Sequence, residues 1–276
     1  MFADLHLHTA YSDGTYSPEE LAAAAAQNHL TAVALTDHDT VEGCLPAAQA
    51  CVARGIEFLP GTELTAEHED SEVHILGYGF DLNNAHFLAE MGRFQQVRQD
   101  RIRRIVALLN ERKVPLKAEA VFEIANCRAP GRPHVARALV QAGICSSLDE
   151  AFERFLKKHR PAWVPKAKVA VQEAIGLIHE AHGVAVLAHP ALNRVDHLIP
   201  MMVEAGLDGI ECFHTKHSPS HTQHYTTLAA EYGLLVTGGS DCHGMNKGRP
   251  LIGTVKIPYS LVERLKVRLA ERRPCG

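Results

Sequence analysis

The 276-residue sequence has no Cys-x-x-Cys pair, no apolar run long enough to span a bilayer, no internal repeat, and no low-complexity tract beyond the alanines at 22–26. Its seven cysteines are odd in number and scattered, which argues against a disulfide framework and for reduced thiols. The amino terminus carries Asp4 and His6 where a secretory signal would carry a basic patch and an apolar segment. With no spanning stretch either, the expectation is a cytoplasmic protein without a membrane partner, and no obligate protein partner is evident. A composition of 46% hydrophobic and 22% charged residues excludes disorder as the default.

Net charge is −4, but residues 98–168 hold 16 Lys and Arg against 7 Asp and Glu, so a basic middle sits in an acidic frame. Such a balance suits an anionic substrate held against carboxylate-bound cations.

The first thirteen residues organise the rest. Phe2 to Leu7 alternates like a strand, so His6 and His8 share one face, and Asp13 follows in the next turn. Two imidazoles and a carboxylate at one strand end suit a divalent metal ion.

Ser17-Pro18-Glu19-Glu20 is a capping box that opens an alanine-rich helix to about Asn28. The strand Thr31–Thr36, a helix at 41–54, the strand Ile56–Glu63 and the segment Val73–Tyr78 follow. Helices at 170–182, 196–205 and 220–232 stop at Gly183, Gly206 and Gly233 and precede strands at Val184–His189, Gly209–His214 and Leu234–Thr237. These glycines, like Gly55, are expected to supply the left-handed turn that ends a helix. Alternating strands and helices predict parallel pairing, in a closed barrel or an open doubly wound sheet, and polar residues at the carboxyl ends of the strands favour the closed α/β barrel. Residues 88–165 break the rhythm with helical patterns at 89–110, 118–126, 133–142 and 149–158. They read as a helical insertion domain between barrel segments 1–87 and 166–276.

The strand ends carry His6, His8, Asp13, Asp37, His38, Glu63, His74, His189, Asp241 and His243. The ordered set His6-Leu-His8, Thr36-Asp-His-Asp39, Gly61-Thr-Glu63, His74, Ala188-His-Pro190 and Ser240-Asp-Cys-His243 resembles the motifs of the polymerase and histidinol phosphatase (PHP) family. The insertion, with Gly131–Arg137 and Pro161–Lys166, resembles the branch that includes nucleoside 3',5'-bisphosphate phosphatases and short-RNA 5'-exonucleases. The resemblance implies a distorted (β/α)7 barrel with two or three metal ions. It implies one ion on His6, His8, Glu63 and Asp241, a second on Glu63, His74 and His189, and a third on Asp13, His38 and His243. Nitrogen and oxygen donors without thiolate suit Mn²⁺, Fe²⁺ or Zn²⁺, with Mn²⁺ favoured. Cys242 is expected to point away from the centre.

Clustered divalent ions activate water and neutralise phosphate oxygens, so the expected reaction is phosphate ester hydrolysis without a serine or cysteine nucleophile. The expected substrate is a nucleotide, with the 3'-phosphate of a nucleoside 3',5'-bisphosphate as the group removed. Asp13, His38, Asp241 and His243 are the expected catalytic residues, with His214 as proton donor to the leaving oxygen. Ser12, Arg132, His134, Arg160 and Lys166, with His214, are the expected substrate contacts, and Trp163 and Phe213 the aromatics for a base. The rival readings are 5'-to-3' trimming of short RNA, histidinol phosphate hydrolysis, which would need an acidic pocket, and a non-catalytic PHP module.

Overall fold

The computed structural model describes residues 1–69, 71–165 and 169–273. The elements run β1 (Phe2–Leu7), α1 (Pro18–Gln27), β2 (Ala32–Leu35), α2 (Cys44–Val52), β3 (Glu57–His68) and β4 (Ser71–Tyr78). Four helices follow, α3 (Ala85–Glu111), α4 (Ala118–Ala125), α5 (Arg132–Gln141) and α6 (Leu148–Ala151), the last continued by a π-turn over Phe152–Leu156. The chain then forms α7 (Val171–Glu180), β5 (Val184–Leu187), α8 (Pro190–Asn193), α9 (Ile199–Glu204), β6 (Gly209–His214), α10 (Pro219–Glu231), β7 (Leu235–Gly239), β8 (Ile257–Pro258) and α11 (Tyr259–Arg272). Ser17 and Glu20 form the expected capping box on α1.

The eight strands lie in the order β7-β6-β5-β4-β3-β2-β1-β8. The sheet is nearly closed, because the chain beyond β7 returns to β1: Leu7 pairs with Cys242, and His8 N donates to Cys242 O at 2.9 Å. Closure depends on Gly239, where a Cβ would lie 2.4 Å from the His6 Cβ. No larger residue fits that approach. β8 is a two-residue strand antiparallel to the start of β1 and adds an eighth strand to the seven expected.

Parallel pairing does not hold throughout. β4 runs antiparallel to both β3 and β5, because β3 and β4 are joined by a short turn and a parallel return would need a long crossover. The reversal brings the early residues of β4, and so His74, to the mouth where β1, β2 and β5 end. The expectation for helix ends is corrected at one position. Gly55, Gly206 and Gly233 have φ of +67°, +94° and +65°, but before β5 the left-handed residue is His182, at +61°. Gly183 is required by space instead, since a Cβ there would meet Ile178 Cγ2 at 2.9 Å.

The helices α3 to α6 have their own apolar core, built on Ile102, Ile105, Leu109, Val121, Val135, Leu139 and Leu156. The first turns of α3 belong elsewhere: Phe87, Met91 and Phe94 pack into the barrel's helical layer with Ile175 and Ile178. One helix thus ties the two cores together. Three further elements, α8, β8 and α11, add to those expected from the sequence; α11 buries Val262, Leu265 and Leu269 against Tyr78, Val184 and Val186. No described helix is long and apolar enough to cross a membrane.

At the barrel's amino-terminal end, buried Asp208 fastens α11 and α7. Its carboxylate accepts from Ala185 N (2.9 Å), Arg272 Nη2 (2.6 Å), Arg268 Nη1 (3.1 Å) and His179 Nε2 (3.0 Å). Burial raises its pKa, but the bonds from His179 and Arg272 outweigh that and hold it below the ordinary value. Because the folded pKa is depressed, the stabilisation is present above the unfolded value of 3.8 and is lost as pH falls. Asp208→Ala should lower unfolding stability by about 3 kcal/mol near neutral pH. In denaturant titrations its deficit against wild type should shrink as the pH drops below that of a free carboxylate.

Candidate metal centre

Glu63, on β3, lies beneath the mouth of the barrel with its carboxylate buried among five imidazoles. Oε2 lies 3.3 Å from His6 Nε2, 3.3 Å from His8 Nε2 and 3.1 Å from His38 Nδ1. Oε1 lies 2.6 Å from His74 Nδ1 and 2.9 Å from His189 Nε2. Burial raises the Glu63 pKa, and the surrounding imidazoles, led by His38, reverse that and hold the carboxyl well below its usual range. Asp241 stands beside the same cluster, with Oδ1 3.5 Å from His6 Nε2 and 3.3 Å from His8 Nε2. Asp13 faces His243 Nε2 at 3.2 Å and His38 Nε2 at 4.0 Å. Burial opposes ionisation of Asp13 too, and His243 holds it well below the carboxylate range. His243 rises to about 9, against its desolvation, because Asp13 and Asp241 flank it.

All nine residues expected as ligands converge. Their donor atoms fall into four overlapping groups, each within 4.8 Å: His8, Asp13, His38 and His243; His6, His8 and Asp241; His6, Glu63 and His189; and His38, Glu63 and His74. The grouping differs from the expectation: His8 also faces Asp13 and His243, His38 joins Glu63 and His74, and His6 joins Glu63 and His189 in a group without His74.

The donor set fits divalent cations. Among the described residues, buried His8 Nδ1 and Nε2, Asp13 Oδ1, His38 Nδ1 and His189 Nδ1 make no hydrogen bond. A buried unpaired polar atom costs about 1–3 kcal/mol, so such a concentration calls for a partner that accepts several lone pairs at once. Backbone strain gathers at the same place: Asp39, His189 and Asp241 have φ of +51°, +26° and +52°. Residues forced into such conformations cluster at functional sites.

Glu211, in the middle of β6, was missed by the sequence reading. It is fully buried; its Oε1 accepts from His6 Nδ1 at 2.9 Å and its Oε2 from His189 N at 2.8 Å. One carboxylate therefore fixes the His6 tautomer, leaving Nε2 turned toward Glu63 and Asp241, and holds the strained His189 backbone. The available signal was a charged residue inside an apolar strand, because a buried charge must be paired. Asp37, also at a strand end, accepts from Thr9 N (2.8 Å) and Ser12 Oγ (2.5 Å) and shapes the first loop.

The remaining expected residues divide. Arg132 lines a cleft between the mouth and the helices, together with Asp13, His38, Glu72, His74, Arg98, Arg101, Gly131, Pro133 and Phe152. Ser12 is turned to Asp37, and buried His134 accepts from Gly131 N through Nδ1 (3.0 Å), so both support loops. Arg160 is half-exposed and pairs with Glu153 at 3.5 Å, outside the cleft. Lys166 lies outside the described residues. His214 is buried: its Nδ1 accepts from Lys216 N (3.1 Å), which leaves the proton of a neutral ring on Nε2, 3.4 Å from Asp241 Oδ2. That position orients Asp241 and does not open to the cleft. Phe213 packs between two core clusters, and Trp163 is not among the cleft's lining residues. Cys242 points into the apolar cluster around Leu7 and Leu21.

The fold and the site define a barrel hydrolase with clustered imidazole and carboxylate donors. The model of the PHP domain matches residues 4–183. A 3',5'-nucleoside bisphosphate phosphatase from Chromobacterium violaceum is 32% identical over 256 residues, 91% of this chain and 90% of the relative. The 5'-3' exoribonuclease Rnm of Salmonella typhimurium is 31% identical over 248 residues, 87% of this chain and 84% of the relative. A solved structure of a proposed metal-dependent phosphoesterase from Bifidobacterium adolescentis superposes with a TM-score of 0.89 at 34% identity, covering 96% of both chains. The chain belongs to the PHP family, and with this donor set it is an enzyme of the phosphoesterase class.

Glu211→Gln removes the charge behind His6 while keeping the side chain's size. It should weaken metal uptake about 10- to 100-fold, read by competition with a chelating dye, without loss of secondary structure. Unchanged affinity would remove Glu211 from the account of the centre.

Proposed function

We propose that the protein removes the 3'-phosphate from nucleoside 3',5'-bisphosphates. The observation that carries this reading is the cleft itself, which is lined by the ligand candidates Asp13, His38 and His74 and also by Arg98, Arg101 and Arg132. Two anionic groups on one small molecule match these two charged sets. Segment 88–165 acts in this reading as a capping domain, supported by its own core and by the arginines it carries.

His6, His8, Glu63 and Asp241, then Glu63, His74 and His189, and then Asp13, His38 and His243 would hold two or three divalent ions; nitrogen and oxygen donors without thiolate suit Mn²⁺, Fe²⁺ or Zn²⁺, and Mn²⁺ is the favoured ion of this reading. Bound there, such ions supply charge to the phosphate oxygens and acidify water. The protein's own part is positioning. Arg101 is fixed by two bonds to Val164 O (2.9 and 2.8 Å), and Arg132 by one to Leu156 O (3.2 Å), so both forks are oriented before substrate arrives. Arg98, which also lines the cleft, is anchored to Asp39 at 2.6 Å. His214 keeps Asp241 oriented.

Trimming of short 5'-phosphorylated RNA is a second reading, favoured by the likeness to Rnm. The arginines would then take the 5'-phosphate and the metal centre the first phosphodiester. Three arginines against the two carboxylates of Asp13 and Glu72 among the lining residues weigh against histidinol phosphate, whose amino group calls for an acidic pocket. The six described cysteines are free thiols, which supports the cytoplasmic setting of this reading.

The test is phosphate release by Mn²⁺-loaded protein from adenosine 3',5'-bisphosphate, beside AMP, histidinol phosphate and a short 5'-phosphorylated RNA. Release from the bisphosphate should vanish in Asp241→Asn. In Arg132→Met its KM should rise about 10- to 100-fold, the loss of a charged hydrogen bond, with p-nitrophenyl phosphate hydrolysis unchanged. Mononucleotide release from RNA at comparable efficiency would move the assignment to the exonuclease, and silence on all four would end the nucleotide reading.

A further inference from the structure

Phe152 is the only Phe, Tyr or Trp lining the cleft among the described residues. It opens the π-turn that ends the α6 helix, where Lys157 N closes back on Phe152 O at 3.0 Å. Such wide turns are frequent at functional sites. Part of the ring packs against the helical core and the remainder faces the cleft. The Arg132 guanidinium carbon lies 6.0 Å from the ring centroid, and Arg132 is itself bonded to Leu156 O in the same turn. Ring and guanidinium are therefore held as one unit.

We infer that Phe152, backed by Arg132, is a stacking platform for the base of the nucleotide. This rests on the nucleotide reading above and adds the part of the substrate that the two charged sets leave unaccounted for. A sugar held through its phosphates at the metal centre and the arginines carries its base on C1', the one portion with no charge to satisfy. The apolar ring face is the surface in the cleft suited to it. Stacking accepts every base, because each has a π-face, and the neighbouring guanidinium adds cation–π attraction. Purines, with more area, gain more than pyrimidines.

The test compares adenosine 3',5'-bisphosphate with the same bisphosphate lacking a base, 1-deoxyribose 3,5-bisphosphate. Phe152→Leu keeps the apolar packing and removes the aromatic face; Phe152→Tyr keeps the face and serves as rescue. Phe152→Leu should raise KM for the adenosine compound about tenfold, leave kcat and all turnover of the base-free compound unchanged, and be restored by Phe152→Tyr. An equal loss on both compounds would make the ring a wall of the cleft, and no loss on either would remove it from recognition. Either result, with wild type active, overturns the platform alone. A wild type inactive on both compounds overturns the bisphosphate reading, and the platform argued from it falls with it.

Discussion

A single buried carboxylate, Glu63, sets the terms for this structure. It makes contact with imidazoles from four other segments: β1 with its extension, the turn after β2, the antiparallel β4 and the turn after β5. A lone buried carboxylate could stay charged only at large cost and would protonate instead, but among five histidines it stays ionised. The converse also holds. The histidines collect at one point because a negative charge in a low-dielectric pocket waits there. The closure of β7 on β1 at Gly239, the reversed β4 and the strained turns at His189 and Asp241 all serve to bring donors within reach of that carboxylate.

The helical segment completes the site from the other side. Its contacts with the mouth are polar and specific. Arg98 binds Asp39, Arg137 Nη2 donates to Asp13 O at 2.9 Å, and Cys127 Sγ donates to Ser12 O at 3.2 Å. The first loop, which carries Asp13, is therefore held by residues about 120 positions away in sequence. Metal-ligand candidates and arginines line one cleft, and the proposed function rests on that juxtaposition, which suits a substrate with two phosphates.

Much of this was legible in the sequence. His6, His8, Asp13, His38, Glu63, His74, His189, Asp241 and His243 stood out because ligating residue types recurred where apolar strand runs ended, and all nine meet. The barrel was legible from the same alternation. The direction of β4 was not, because periodicity gives an element's type but not its sense, and only the shortness of the β3–β4 turn determines it. Arg98 and Arg101 were invisible as site residues, since a long basic helix reads as a solvated face until its packing is known. Glu211 read as one more strand position. Arg160 shows the limit of proximity in sequence, in that a charge near a motif lies beside Glu153 and outside the cleft's lining.

The claim that Glu63 is the hub of a metal centre is tested most directly by counting ions. Wild type and Glu63→Gln, each equilibrated with Mn²⁺ and gel-filtered, are compared by elemental analysis together with circular dichroism. More than one ion per chain in the wild type, falling to one or none in a variant that keeps its secondary structure, is the expected result. Equal metal content in the two proteins, or a wild type that binds none, would contradict the account.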